Sequence, residues 1–131
     1  MTPLLTCSGI DKSFFGVPVL TRVSFELDAG RVVGLVGENG AGKSTLMHVL
    51  GGNLRPDAGT MMFRGAPYAP ANPHQAMAAG IGFVHQELNL FPNLTAGANI
   101  FIGREPRKGW PLPLLDEREL NRLAEPYLKQ L

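Results

Sequence analysis

The chain has 131 residues, 44% of them hydrophobic, and a net charge of +1 from 12 Lys+Arg against 11 Asp+Glu. That is enough apolar material for one compact core, while the balanced charge offers no basic field to nucleic acid and no acidic tail. The longest apolar runs are a handful of residues, far short of the ~20 that span a bilayer, and residues 1–6 carry no basic or long apolar signal segment. Sixteen Gly and 11 Pro point to many turns rather than to low complexity. The lone Cys7 cannot form an internal disulfide and, beside Leu5 and Ile10, reads as a small buried hydrophobe. A cytosolic protein fits these features.

In chain order, residues 4–14 and 17–27 predict two extended segments joined at Phe15-Gly16. In the second, Val23, Phe25 and Leu27 alternate with Ser24, Glu26 and Asp28, the period of a half-buried strand. Asp28-Ala29-Gly30 predicts a turn. Arg31–Val36 then predicts a continuous apolar strand, the kind covered on both faces in an α/β fold. A glycine-rich loop leads into a helix with Leu46, Val49 and Leu50 on one face, ending at Gly51-Gly52. Pro56-Asp57-Ala58-Gly59 predicts a turn and Thr60–Arg64 a short strand. Asn72-Pro73 supplies an N-cap and a first-turn proline for a helix to Gly80.

The run Ile81-Gly82-Phe83-Val84 predicts a strand that delivers His85-Gln86-Glu87 at its tip and continues into an apolar, proline-bearing loop. Thr95–Ile102 predicts a helix despite Gly97, and 103–115 a loop. Asp116 and Glu119 form a capping pattern for a last helix whose apolar face is Leu120, Leu123, Tyr127 and Leu131, with a kink at Pro126. His48 and His74 fall on helices without metal-ligand spacing and read as structural or solvated.

Gly37-Glu38-Asn39-Gly40-Ala41-Gly42-Lys43-Ser44 fits the phosphate-loop pattern G-x-x-x-x-G-K-[ST]. Glycines let the backbone curl so that successive N–H groups face phosphate oxygens, and the helix that follows adds its positive end. Lys43 brings a mobile charge to the β- and γ-phosphates, and the Ser44 hydroxyl suits Mg²⁺. A chance match in a chain of this length is on the order of half a percent. Here a predicted strand precedes it and a predicted helix follows it, so binding of a nucleotide with Mg²⁺ is the reading.

Val36-Gly37-Glu38-Asn39-Gly40-Ala41-Gly42-Lys43-Ser44-Thr45-Leu46 resembles the Walker A segment of ABC-transporter ATP-binding subunits. The resemblance implies an α/β fold: a P-loop NTPase (RecA-like) core with an antiparallel β subdomain, ending within the helical subdomain. Residues 1–86 would form the β subdomain and phosphate-loop core, and 87–131 the Q-loop and the start of the helical subdomain. It implies nucleotide contacts through Phe14 and residues 37–45, including Thr45. Phe14 lies where the family places an adenine-stacking aromatic; core packing is its other reading, and Phe15 is the adjacent ring. Val19 reads either as the adenine edge or as core. Gln86 resembles the Q-loop glutamine, which with Ser44 would approach Mg²⁺. His85 reads as a hydrogen-bonded flank or, less simply, as a proton carrier. Residues 87–102 would meet a membrane permease subunit on the inner face of the cell membrane, and a second ATP-binding half would complete a dimer. No nucleic acid is implied.

A narrower resemblance to sugar importers of the ribose, xylose and galactose type runs through Asn53–Gly59, Ala78–Ile81, Val84–Leu90, Pro92–Thr95 and Asn99–Glu105. Two positions depart from it. Ala98, preceded by Gly97, stands where the family has a Glu before Asn-Ile, which is expected to loosen the helix beside the docking surface. Pro126 replaces a good helix former. The family's L-S-G-G-Q-type signature, Walker B Asp with its catalytic Glu, and switch His do not occur in these residues. The chain resembles the first quarter of a protein with two fused ATP-binding halves, so it reads as a truncated form of an ATPase. The other reading is a remnant or binding module without a transport role. A kinase or GTPase would need a guanine-reading N-K-x-D or a lid, and neither is visible.

The 131-residue chain alone is expected to bind ATP weakly and to show no steady phosphate release. Sustained ATP turnover that disappears in Lys43→Ala would overturn this.

Overall fold

The computed structural model describes residues 2–85, 90–109 and 111–130. The chain divides into two compact units, Met1–Val84 and His85–Leu131, each taken by itself below.

In the first unit, strands β1 (Leu5–Phe14) and β2 (Val17–Leu27) form the antiparallel hairpin that the sequence predicts. Phe15 and Gly16 turn it with φ of 50° and 81°, the left-handed pair whose twist matches that of the flanking strands. Register runs from Leu5↔Leu27 to Phe14↔Val17 and is interrupted by bulges. Side chains replace the ladder there. Gly9 N–H donates to Ser24 Oγ (2.8 Å), and Arg22 N–H, at φ 47°, donates to Asp11 Oδ1 (2.6 Å).

Strand β3 (Ala58–Phe63) pairs antiparallel with the other edge of β1. It begins two residues earlier than the sequence predicts, because Ala58 pairs with Asp11 and Gly59 crosses the Gly9 carbonyl too closely for any Cβ. A second left-handed turn at Arg64-Gly65 leads to β4 (Ala66–Pro67), which sequence reasoning missed. The sheet order is β2-β1-β3-β4.

Helices α1 (Lys43–Leu50) and α2 (Pro73–Ala79) pack with this sheet. Leu46 and Val49 of α1 and Ala76 of α2 share one core with Leu5, Cys7 and Ile10. Ile10 and Val49 are fully buried, and each such side chain contributes about 1.5–3 kcal/mol. Cys7 is buried as expected, and that burial pushes its thiol up to about 11. Asn72 caps α2 by accepting from Gln75 N–H (3.0 Å), and Gly80 ends it at φ 103°. Both ends match the sequence reading.

Two sequence expectations are corrected. Residues 31–36 and 81–84 carry no strand pairing among the described residues. Val32, Val36 and Val84 stand 98%, 94% and 95% exposed. A buried parallel strand exists only through pairing with neighbouring strands, and among the described residues no strand pairs with these segments.

In the second unit, α3 (Ala96–Ile100) is capped by Thr95, and α4 (Glu117–Leu128) by Asp116, whose side chain accepts from Glu119 N–H (3.2 Å). Within 103–115, β5 (Arg107–Lys108) and β6 (Leu114–Leu115) make a two-residue ladder that sequence reasoning missed. Gly97 has a packing role in α3, which is shorter than the predicted Thr95–Ile102. It is buried at the crossing with α4, where an added Cβ would meet Asn121 Oδ1 at 3.2 Å and Ala124 Cβ and Leu120 Cδ2 at 3.4 Å. The buried face of α4 is Leu120 and Ala124 with Leu123 half-buried; Tyr127 is exposed, edge-on to Phe101, and Leu131 lies outside the described residues. The helix continues through Pro126, and Lys129 N–H donates to the Glu125 carbonyl (3.0 Å). Proline leaves only the Arg122 carbonyl without its i+4 donor.

Gly59→Ala combines a positive φ of 95° with backbone collision, whereas Gly65→Ala at φ 75° meets open space. Urea unfolding is expected to show a loss of about 2–3 kcal/mol or more for Gly59→Ala and about 1 kcal/mol for Gly65→Ala. Equal losses would contradict the packing role of Gly59.

Candidate nucleotide site

The phosphate loop closes on its own lysine. Lys43 Nζ donates to the carbonyls of Gly37 and Glu38, each at 2.7 Å, while Ala41 N–H turns back to the Glu38 carbonyl (3.2 Å). Gly40 and Gly42 take φ of 86° and 88°. Gly42 is also pressed on β2: a Cβ there would lie 2.8 Å from the Val19 carbonyl and 2.9 Å from Leu20 Cδ2. Glycine is therefore required twice over at Gly42, by conformation and by space. Val19 is half-buried, and its carbonyl backs the loop.

This entry leaves the helix end bare. The first helical bond is Leu46 N–H to the Gly42 carbonyl (2.9 Å), so the N–H groups of Lys43, Ser44 and Thr45 precede it. Gly42 supplies no side-chain cap, and the first turn holds no acidic residue. Three donors that precede the first helical bond, the positive helix end and a mobile ammonium make an anion site suited to phosphate. Glu38, Asn39 and Ser44 are exposed beside it, and Thr45 is half-buried.

Phe14, at the end of β1, is 37% exposed, whereas Phe15 at the hairpin tip is fully exposed. Lys12 Nζ lies 5.8 Å from the Phe14 ring centre and 2.6 Å from Asp57 Oδ1. The other Asp57 oxygen accepts from Ser13 N–H (2.7 Å). Lys12 and the Ser13 N–H hold the Asp57 carboxyl below its ordinary 3.8. Sequence reasoning read Asp57 only as a turn residue and missed this link. The signal available was an acidic side chain in a turn; nothing in the chain order announced its partner 45 residues away.

Gln86 and Glu87 lie outside the described residues. His85 is exposed, and His74 is exposed on α2. His48 stacks on Phe83 (5.6 Å, 19°), a structural role in keeping with its sequence reading. In the second unit, the apolar segment beyond residue 89 is organised by Asn99, also unassigned from sequence. Its side chain accepts from Phe91 N–H (2.8 Å) and donates to the carbonyls of Phe91, Leu94 and Thr95. Leu90, Phe91 and Leu94 remain exposed. Among the described residues no group of three His, Cys, Asp or Glu could hold a metal, and no helix is long and apolar enough to cross a membrane.

A phosphate loop feeding an uncapped helix beside an antiparallel sheet defines a P-loop nucleotide-binding domain. The family described as ABC transporter matches residues 20–131, and the chain belongs to that family. It is 48% identical over 129 residues to a Burkholderia cenocepacia protein whose name proposes ribose/galactose/methyl galactoside import ATP binding, covering 98% of this chain and 25% of that protein. It is 44% identical over 131 residues to the ribose import ATP-binding protein of Halalkalibacterium halodurans, covering 98% and 26%. The chain thus spans about a quarter of the length of these relatives. A solved ATP-binding cassette of an ABC transporter superposes with a TM-score of 0.79 at 27% identity, covering 98% of this chain and 54% of the cassette. The P-loop fold and antiparallel sheet expected from sequence are thereby borne out.

The lowered Asp57 carboxyl stabilises the fold above its unfolded value near 3.8, and that contribution is lost as pH falls through the folded value. Asp57→Asn is therefore expected to lower the urea midpoint at pH 7 and to converge with the parent as pH falls through the folded value. A difference that stays constant as the pH is lowered well into the acid range would assign the effect to packing instead.

Proposed function

We propose that this chain is the nucleotide-binding part of an ATPase subunit that powers monosaccharide import, with ATP and Mg²⁺ held at residues 37–45. The observation that carries the reading is the bare, non-acidic start of α1, closed over by the Gly37–Gly42 loop and Lys43. Lys43 already sits on loop carbonyls, so phosphate oxygens need only replace those acceptors to take the ammonium. The backbone N–H groups of 43–45 would bind the phosphates, and the Ser44 hydroxyl and Gln86 amide would hold Mg²⁺ together with nucleotide oxygens. Bound Mg²⁺ would neutralise phosphate charge in phosphoryl transfer. Phe14 would stack on adenine.

The similarity to sugar-import ATP-binding proteins supports the substrate class. The exposed Leu90, Phe91 and Leu94, set by Asn99, support a membrane permease partner at residues 87–102 on the inner face of the cell membrane. A second ATP-binding half would face the phosphate site, as in the family reading. Residues 1–86 and 87–131 would serve these two tasks separately.

In the full-length protein, Lys43→Ala is expected to weaken Mg-ATP binding by about 10- to 100-fold by titration calorimetry. Phe91→Asp should leave that affinity intact while abolishing sugar uptake and permease co-purification. Unchanged ATP affinity in Lys43→Ala would refute the nucleotide site; unchanged uptake in Phe91→Asp would refute the docking surface.

A further inference from the structure

Asp57 stands outside the residues assigned above to the nucleotide, yet it ties down the segment that carries Phe14. Oδ1 accepts from Lys12 Nζ at 2.6 Å and Oδ2 from Ser13 N–H at 2.7 Å. The Asp57 N–H itself donates to the Asp11 carbonyl at 2.8 Å. Three consecutive residues ahead of Phe14 are thus anchored on one residue of the turn that precedes β3.

The anchoring falls beside an irregularity of the sheet. Pairing of β1 with β2 shifts register between Lys12 and Ser13 before continuing at Ser13↔Pro18 and Phe14↔Val17, whereas pairing of β1 with β3 ends at Asp11↔Ala58. The ladder therefore holds Phe14 on its β2 side alone, and Asp57, just ahead of β3, holds the segment on the other. The Lys12 side chain is only 16% exposed, and its ammonium, held by Asp57, reaches the Phe14 ring at 5.8 Å. A cation at that distance is attracted to the ring's π-face and helps to fix the ring in place.

We infer that Asp57 is a positioning residue for the nucleotide base, clamping Lys12 and Ser13 so that Phe14 is aimed for stacking. The inference rests on the reading of Phe14 as the base platform. Asp57 touches neither phosphate nor the reacting atoms, so its effect should fall on the base alone.

The test compares the full-length protein's affinity for Mg-ATP with that for Mg-tripolyphosphate, which presents the phosphates without the base. Asp57→Ala is expected to weaken Mg-ATP about five- to tenfold and to leave tripolyphosphate within about twofold. Lys12→Met should act in the same direction, and Asp57→Glu should recover part of the loss. In a Phe14→Leu background, Asp57→Ala should have no further effect, since the ring it positions is gone. Should Asp57→Ala not fold, Asp57→Asn serves the same comparison, keeping an acceptor for Ser13 N–H while deleting the ionic hold on Lys12. Equal losses for both ligands, or no loss for either, would overturn the role of Asp57. Parent protein that binds ATP no tighter than tripolyphosphate would instead overturn the Phe14 reading, and the inference with it.

Discussion

The contact on which the candidate site depends is between Gly42 and the backbone of β2. The α-carbon lies so close to the Val19 carbonyl that no side chain fits, and φ of 88° turns the chain abruptly into α1. Any residue able to cap the helix with a side chain is thereby excluded from the N-cap position. The helix starts bare because the sheet leaves no room for a cap. The same close approach sends Leu46 and Val49 into the core, so the burial that holds α1 in place also presents its positive end outward. Burial energy of several kcal/mol thus holds in place the three N–H donors at the start of α1.

Around that contact the β1–β2 hairpin is irregular in a consistent way. Its bulges are repaired by Ser24, Asp11 and Asp57, each accepting a backbone N–H that the ladder has lost. Buried or half-buried backbone donors need partners, and short polar side chains supply them where strand pairing cannot. Positive φ at Phe15, Arg22 and Arg64 shows the same economy of turning. Arg64 is steadied by its guanidinium lying 5.1 Å from the Phe63 ring centre, and Arg22 by the Asp11 carboxylate. The Asp57 contact lies at the end of the sheet where Phe14 emerges, and the Arg64 turn lies at the other.

The second unit shows how small residues carry packing. Gly97 allows α3 to approach α4 at a distance that a methyl group would already crowd, and Ala124 is buried opposite it. Asn99 then uses both ends of its amide to fold the preceding apolar segment against the same short helix. A five-residue helix has little stability of its own, so these tertiary and capping contacts are what sustain it. Apolar side chains beyond residue 89 stay outside because the amide network occupies the inner side of that turn.

The sequence by itself determined the features that are local in chain order. The hairpin at Phe15-Gly16, the caps at Asn72, Gly80 and Asp116, and the phosphate loop at 37–44 are written in neighbouring residue types, since turns, caps and curled glycine loops depend on adjacent dihedral angles. Tertiary structure alone decided the features that join distant positions. Gly97 reads as a helix breaker until α4 is beside it; Asp57 reads as a turn former until Lys12 and Ser13 arrive from β1. Residues 31–36 and 81–84 have strand composition, yet a strand is made by its pairing partners, and among the described residues no strand pairs with them. Local dihedral preference is a property of the chain, whereas close approach and pairing are properties of what the chain meets.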